Sequence, residues 1–118
     1  MIPAKLALEK FTEGDEWDGI PSLTITINGA APPVPLASAK MRFKKPGAVP
    51  STVVELSSAT PGQITIVSAA TWEISVPPQL VAGLTFGKWT WRLRCLDTST
   101  TGRPKTYLAD EIEVLETI

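Results

Sequence analysis

The stretch Lys88-Trp89-Thr90-Trp91-Arg92-Leu93-Arg94-Cys95-Leu96 alternates between apolar and polar side chains. Two tryptophans, a leucine and a cysteine share one parity, whereas a threonine and two arginines share the other. Because successive side chains of a β-strand point to opposite faces, this period of two indicates a half-buried strand. The stretch therefore predicts a sheet with one face on a hydrophobic core and the other in water.

The same alternation recurs along the chain between proline and glycine residues. It is clearest at residues 23–27, where three aliphatic side chains oppose two threonines and the turn signal Asn28-Gly29 follows. Residues 78–83 break the pattern and predict a single helical turn that ends at Gly83. Further strands are predicted at residues 39–44, 52–56, 63–67, 71–76 and 107–115.

Seven or eight short, mainly antiparallel strands indicate a sandwich or a small barrel. We favour the sandwich, since two polar outer faces do not require closure. The prediction is an all-β, immunoglobulin-like β-sandwich that forms one domain over residues 1–118, with one short helical turn near Pro78 to Gly83.

A strand register is also predicted for the last two long strands. We expect them to pair antiparallel with Leu93 opposite Ile112, which places both arginines of the first strand opposite glutamates of the second. Such exposed pairs contribute roughly 0.2–1 kcal/mol each and mainly fix register. The expected ion pairs are Arg92–Glu113 and Arg94–Glu111.

The residue types present argue against catalysis and against several partners. The chain has no histidine and one cysteine, so it lacks the usual acid–base residue and the ligands of a zinc site. We expect no enzyme, no catalytic residue, no metal and no cofactor. Eleven basic and twelve acidic side chains give a net charge of −1, which predicts no nucleic-acid partner. No apolar run approaches eighteen residues, which predicts no membrane partner.

Four tryptophans and two charged segments are candidate features. Three tryptophans, at positions 72, 89 and 91, share parity with aliphatic neighbours and predict core packing, as does Cys95. Trp17 lies in an acidic turn and is the candidate for exposure, with a possible ligand-stacking role. The acidic residues 13–18 favour a solvated turn over a calcium loop. The cations Lys40, Arg42 and Lys44, with Lys45, could attract an anion, although a wet sheet face is the simpler interpretation.

Several short motifs follow one another in an order typical of a known family. They are Gly14-Asp15-Glu16-Trp17, residues 35–43, Glu55-Leu56, Pro61-Gly62-Gln63-Ile64, and Gly87-Lys88-Trp89-Thr90-Trp91-Arg92-Leu93. In this order the chain resembles the immunoglobulin-like domains of tailed-phage and prophage virion proteins, and is similar to the N-terminal domain of baseplate upper proteins. Ser38 replaces the glycine that this family tends to have, and residues 94–96 replace a more acidic strand end.

The resemblance implies a structural part of a phage tail, neck or baseplate. Such a protein would be made in the bacterial host cytoplasm and built into the virion, with other virion proteins and copies of itself as partners. The contacts would use edge strands, the loop at residues 30–35 and the termini. The alternative is a carbohydrate- or host-surface-binding module that stacks a surface glycan on Trp17. A cytoplasmic domain unrelated to phage is the third hypothesis.

Overall fold

The computed structural model describes residues 4–27, 29–47, 53–99 and 104–116, and these residues contain eight β-strands. The strands are β1 (Phe11–Thr12), β2 (Ile20–Thr24), β3 (Leu36–Lys44), β4 (Val53–Ser57), β5 (Thr65–Ser68), β6 (Glu73–Val76), β7 (Gly87–Asp97) and β8 (Lys105–Leu115). No helix occurs in the described part of the chain, so the all-β prediction is confirmed. Thr52, the first residue of one predicted strand, lies outside the described residues.

The strands form two sheets. The larger sheet has the order β1-β8-β7-β3-β4, and the smaller has the order β2-β6-β5. All neighbouring strands pair antiparallel except β1, which runs parallel to β8. β3 and β7 lie at the centre of the larger sheet because their strict alternation gives each strand one apolar face and one polar face.

One hydrophobic core includes the inner faces of both sheets. Its largest fully buried side chains are Trp72, Trp89, Trp91, Phe43 and Met41, each at most 1% exposed. The predicted core positions of the three tryptophans are therefore confirmed. Burying a large apolar side chain stabilises the fold by roughly 1.5–3 kcal/mol, so this aromatic group is a main source of stability.

The register of β7 against β8 differs from the prediction. Ile112 lies opposite Trp89 and not Leu93, so the observed pairing is displaced by four residues. Arg92 consequently faces Ala109, and the predicted Arg92–Glu113 and Arg94–Glu111 pairs do not form. A displacement by an even number of residues keeps every side chain on its own face, so the alternation fits both registers equally well.

The second strand begins and ends three residues earlier than predicted. β2 pairs with β6, and that pairing stops where Trp72 adopts a φ of 56° and turns the chain away. The Trp72 indole Nε1 donates a hydrogen bond of 2.8 Å to the Val34 carbonyl, which holds this unusual conformation in place. Two backbone hydrogen bonds between Ile27 and Ala30 close the predicted turn at Gly29, although Asn28 lies outside the described residues.

The helical turn predicted near Pro78 to Gly83 is not confirmed. Gln79 instead forms an isolated antiparallel bridge with Trp17, with both backbone hydrogen bonds at 2.9 Å. A turn follows, in which the Leu84 amide donates to the Val81 carbonyl at 3.4 Å. The bridge uses the backbone groups of Gln79 that a helical turn would need internally, so the segment remains extended before it turns.

Candidate protein-interaction surface

Trp17 is buried, and the expectation that it would be exposed is wrong. Only 3% of the residue is accessible, and its ring packs edge-on against Phe43 with 5.9 Å between the centroids. The bridge to Gln79 draws the acidic turn against the sandwich and carries the indole into the core. A ligand cannot stack on a ring in this position, so Trp17 offers no support for the glycan-binding hypothesis.

Cys95 lies on the inner face of β7, as predicted, and is 2% exposed. Burial disfavours the charged thiolate and raises the pKa of the Cys95 thiol to about 12. Burial also raises the pKa of the nearby Tyr107 hydroxyl, with smaller contributions from the negative charges of Cys95 and Asp97. The thiol is therefore protonated at neutral pH and behaves as a small apolar side chain.

The outer face of the larger sheet carries the most concentrated charge among the described residues. β3 and β7 place their cations directly opposite one another, because Lys40 pairs with Arg94 and Arg42 pairs with Arg92. Lys44 extends the group by one more position, opposite Thr90. We call this set of five side chains the cationic face; it comprises Lys40, Arg42, Lys44, Arg92 and Arg94.

One carboxylate partly neutralises the cationic face. Glu55 on β4 accepts a hydrogen bond of 2.9 Å from Arg42 Nε and lies 3.8 Å from Lys40 Nζ. These are the ion pairs of the described part of the chain. Arg94 Nε is buried and has no hydrogen-bond partner among the described residues. Glu55 therefore pairs with two of the five cations, and Glu111 on β8 lies beside β7 on the same outer face. Like charges directly opposite one another destabilise a sheet.

Two shallow cavities flank Arg42 on this face. One has a volume of about 210 Å³ and is lined by Lys40, Arg94 and Glu55 among others. The second, of about 250 Å³, lies between Arg42, Lys44 and Arg92. Depressions lined by positive side chains are suited to carboxylates, because a charge-assisted hydrogen bond is about twice as strong as a neutral one.

Lys45, which the sequence grouped with the stripe on β3, belongs to a different site. Its ammonium donates a hydrogen bond of 2.8 Å to the Phe86 carbonyl and lies 5.5 Å from the centre of the Phe86 ring. It also lies 5.9 Å from the Trp89 ring centre. These contacts fix the loop that precedes β7 and remove Lys45 from the cationic face.

The acidic residues lie on the opposite flank of the same sheet. The turn at residues 13–18 is anchored to the end of β8, where the Glu13 amide donates a hydrogen bond of 2.8 Å to the Leu115 carbonyl. Asp15, Glu16 and Asp18 in this turn are all exposed. We call the segment from Glu13 to Asp18 the acidic turn. Cations therefore dominate β3 and the middle of β7, whereas the acidic turn lies at the β1 edge, and Glu111 and Glu113 of β8 lie between the two groups.

Two strands form exposed sheet edges on the side away from β1. β4 pairs only with β3 and β5 pairs only with β6 in the described part of the chain. β5 has the sequence Thr65-Ile66-Val67-Ser68, without a charge or a proline, and Val67 is 55% exposed. Edge strands in monomeric proteins are commonly protected by charges, prolines or bulges, and the outer edge of β5 lacks the first two.

Sequence reasoning identified three of the five members of the cationic face as a charged stripe and assigned the other two to ion pairs. Lys40, Arg42 and Lys44 were recognised as outward-facing, but Arg92 and Arg94 were expected to pair with glutamates. The sequence places the cations of both strands at outward-facing positions. This pattern indicates one common cationic surface only when it is known that β3 pairs with β7.

The described residues contain no group of three side chains arranged to ligate a metal ion. Within the same residues, no helix is long and apolar enough to cross a membrane. Comparison with protein-family models gives no match, and comparison with curated proteins gives none either.

Proposed function

We propose that this protein is a non-catalytic immunoglobulin-like domain that works through protein–protein assembly contacts, as a structural component of a phage or prophage tail, neck or baseplate. Its partners would be other virion proteins and copies of itself. The observation that carries the assembly proposal is the edge strand β5, whose outer side carries no charge and no proline and exposes Val67.

The strand order supports the immunoglobulin-like part of the proposal. In immunoglobulin variable-type sandwiches, strands B, E and D follow one another in one sheet, beside strand A, and strands G, F, C and C′ follow one another in the other. With β2, β6 and β5 in the smaller sheet and β8, β7, β3 and β4 adjacent in the larger, this chain follows the same order. A tryptophan on β3 would be the usual core residue, whereas here β7 supplies two tryptophans instead.

Assembly through β5 follows from the backbone groups on its outer side. β5 is hydrogen-bonded to β6 on one side only among the described strands, so its other edge can accept a strand from a neighbour. Val67 would add apolar contact at this edge, since it is 55% exposed. The resemblance of the motifs at residues 14–17, 35–43 and 87–93 to phage virion domains favours a particle as the setting for such contacts.

Light scattering coupled to size-exclusion chromatography tests this proposal. We expect the molar mass of the wild-type protein to rise with concentration, and the assemblies to appear as regular particles in negative-stain electron microscopy. Val67→Lys should lower the mass below that of the wild type at the same concentration, because a lysine on an edge strand opposes further pairing.

Leu80→Lys is the matched control, since Leu80 is 68% exposed and lies outside every strand. This variant should associate like the wild type. Equal association of both variants would exclude β5 as the contact, and a wild-type protein that stays monomeric at every concentration would contradict self-assembly.

A further inference from the structure

We infer that the cationic face of one molecule binds the acidic turn of a second copy of this chain, in a head-to-tail contact. This inference rests on the proposed function, because it names a partner and a surface for assembly. It adds a charged contact to the edge contact through β5, and the two contacts use different sides of the sandwich.

The first argument is the unfavourable arrangement of the cations. Arg42 lies directly opposite Arg92, and Lys40 lies directly opposite Arg94, on neighbouring strands. Repulsion between such pairs weakens the sheet, and Glu55 compensates for only two of the four side chains. An arrangement that opposes folding is expected where the surface serves another purpose, and incoming carboxylates would relieve the repulsion.

The second argument is that the chain itself carries the complementary group. Asp15, Glu16 and Asp18 are exposed and form no ion pair with another described residue. The acidic turn projects beyond the end of β8, to which Glu13 anchors it through the Leu115 carbonyl. The turn exposes three carboxylates and the face has two shallow depressions lined mainly by cations among its charged residues, so the two surfaces are complementary in charge.

The third argument is the distance between the two groups within one molecule. Arg92 faces Ala109, whereas the acidic turn is anchored at Leu115, six residues further along β8. At about 3.4 Å per residue this separation is roughly 20 Å, which exceeds a Debye length of about 8 Å at physiological ionic strength. The two groups therefore cannot neutralise each other internally and remain available for contacts between molecules.

A contact between two different surfaces has a consequence for assembly. When two molecules bind in this way, the pair still has one unoccupied cationic face and one unoccupied acidic turn. Further copies can therefore add at both ends, which gives a ring or a filament. The association should weaken as salt rises, because both groups are exposed and salt screens their attraction. Pairing through β5 is formed by backbone hydrogen bonds and apolar contacts, so salt should not weaken it in the same way.

Complementary charge reversal tests the inference. The face variant is Arg42→Glu/Arg92→Glu, and the turn variant is Asp15→Lys/Glu16→Lys. Each double substitution changes the charge of its group by four units, which takes the cationic face with Glu55 from +4 to 0 and the acidic turn from −4 to 0. Self-association of each variant at low salt should therefore weaken about tenfold or more. A 1:1 mixture should regain association, because the acidic turn of one variant meets the cationic face of the other.

Three further samples make the result decisive. Lys5→Glu/Lys10→Glu is the control, since it changes the net charge as much as the face variant does at exposed positions outside both surfaces. Circular dichroism checks that each variant is folded. If the two glutamates prevent the face variant from folding, Arg42→Gln/Arg92→Gln replaces it. Val67→Lys at low and high salt separates the charged contact from the edge contact.

Recovery in the mixture, measured by light scattering and lost at high salt, is the expected result. Association of the face variant equal to that of the wild type would overturn this inference and leave assembly through β5 intact. A salt-sensitive contact that survives Val67→Lys would support the inference, because the charged contact does not use β5. A wild-type monomer whose cationic face binds polyglutamate or an oligonucleotide would overturn it in favour of another acidic partner.

Discussion

Gly19 fixes the acidic turn against the sandwich, and replacing it with alanine should destabilise the protein severely. Its φ is 73°, a left-handed conformation that side chains disfavour. An added Cβ would overlap the Val76 carbonyl oxygen and lie 2.9 Å from the Pro77 carbonyl oxygen. Both contacts are with backbone atoms, so the chain itself would have to move.

The expected loss for Gly19→Ala is built from two contributions. The left-handed conformation costs an alanine about 1–2 kcal/mol. Moving residue 19 away from Val76 would also break the two hydrogen bonds between Trp17 and Gln79, each worth roughly 0.5–1.5 kcal/mol. The total is about 2–5 kcal/mol, a large part of the stability of a small domain.

Gly14→Ala is the control for Gly19→Ala, and the difference between the two variants gives the steric contribution. Gly14 has a φ of 86°, but no atom lies within 4 Å of an added Cβ, so only the conformational cost remains. Urea unfolding followed by tryptophan fluorescence should place the stability of Gly19→Ala about 1–3 kcal/mol below that of Gly14→Ala. Equal losses for the two variants would refute the close packing of the acidic turn on β6.

Three further substitutions test the core and the cationic face. Trp17→Ala should lower the free energy of unfolding by about 3–5 kcal/mol, because the indole is buried against Phe43; a fully stable variant would contradict its burial. Cys95 has a raised pKa when folded, so the unfolded state loses the thiol proton first and stability falls as pH rises above about 9. In urea unfolding, the stability of the wild type relative to Cys95→Ala should therefore fall by about 1 kcal/mol between pH 9 and about pH 10, and a constant difference would exclude a protonated buried thiol. Glu55→Gln should cost about 0.2–1 kcal/mol in low-salt thermal unfolding, and less at high salt; no salt dependence would argue against its ion pairs with the cationic face.

Local alternation was sufficient to predict the long strands but not the short ones. β3 and β7 were predicted because the alternation over residues 39–44 and 88–96 leaves few other structures, although both observed strands are longer than these runs. β1 was not predicted, since it has two residues and exists only because β8 offers a parallel edge. The ends of β2 were displaced because the conformation of Trp72, and not the pattern in residues 23–27, ends its pairing.

The candidate surface depended on information that a single sequence does not contain. Period two assigns each side chain to a face, but it cannot distinguish registers that differ by four residues. Arg92 was therefore placed on the correct face and beside the wrong neighbours. Trp17 was misplaced for a similar reason, because its acidic sequence neighbours indicated solvent while a distant backbone bridge to Gln79 carries it into the core.

The account depends most on the register of β7 against its neighbours, and cross-strand disulfide formation measures that register directly. In a Cys95→Ala background, Arg92→Cys/Ala109→Cys should oxidise readily, since directly opposite Cα atoms lie about 4.5–5.5 Å apart. Arg92→Cys/Glu113→Cys should retain free thiols, because the second position is displaced by four residues, roughly 13 Å. Oxidation of the second pair and not the first would contradict the register and the cationic face with it.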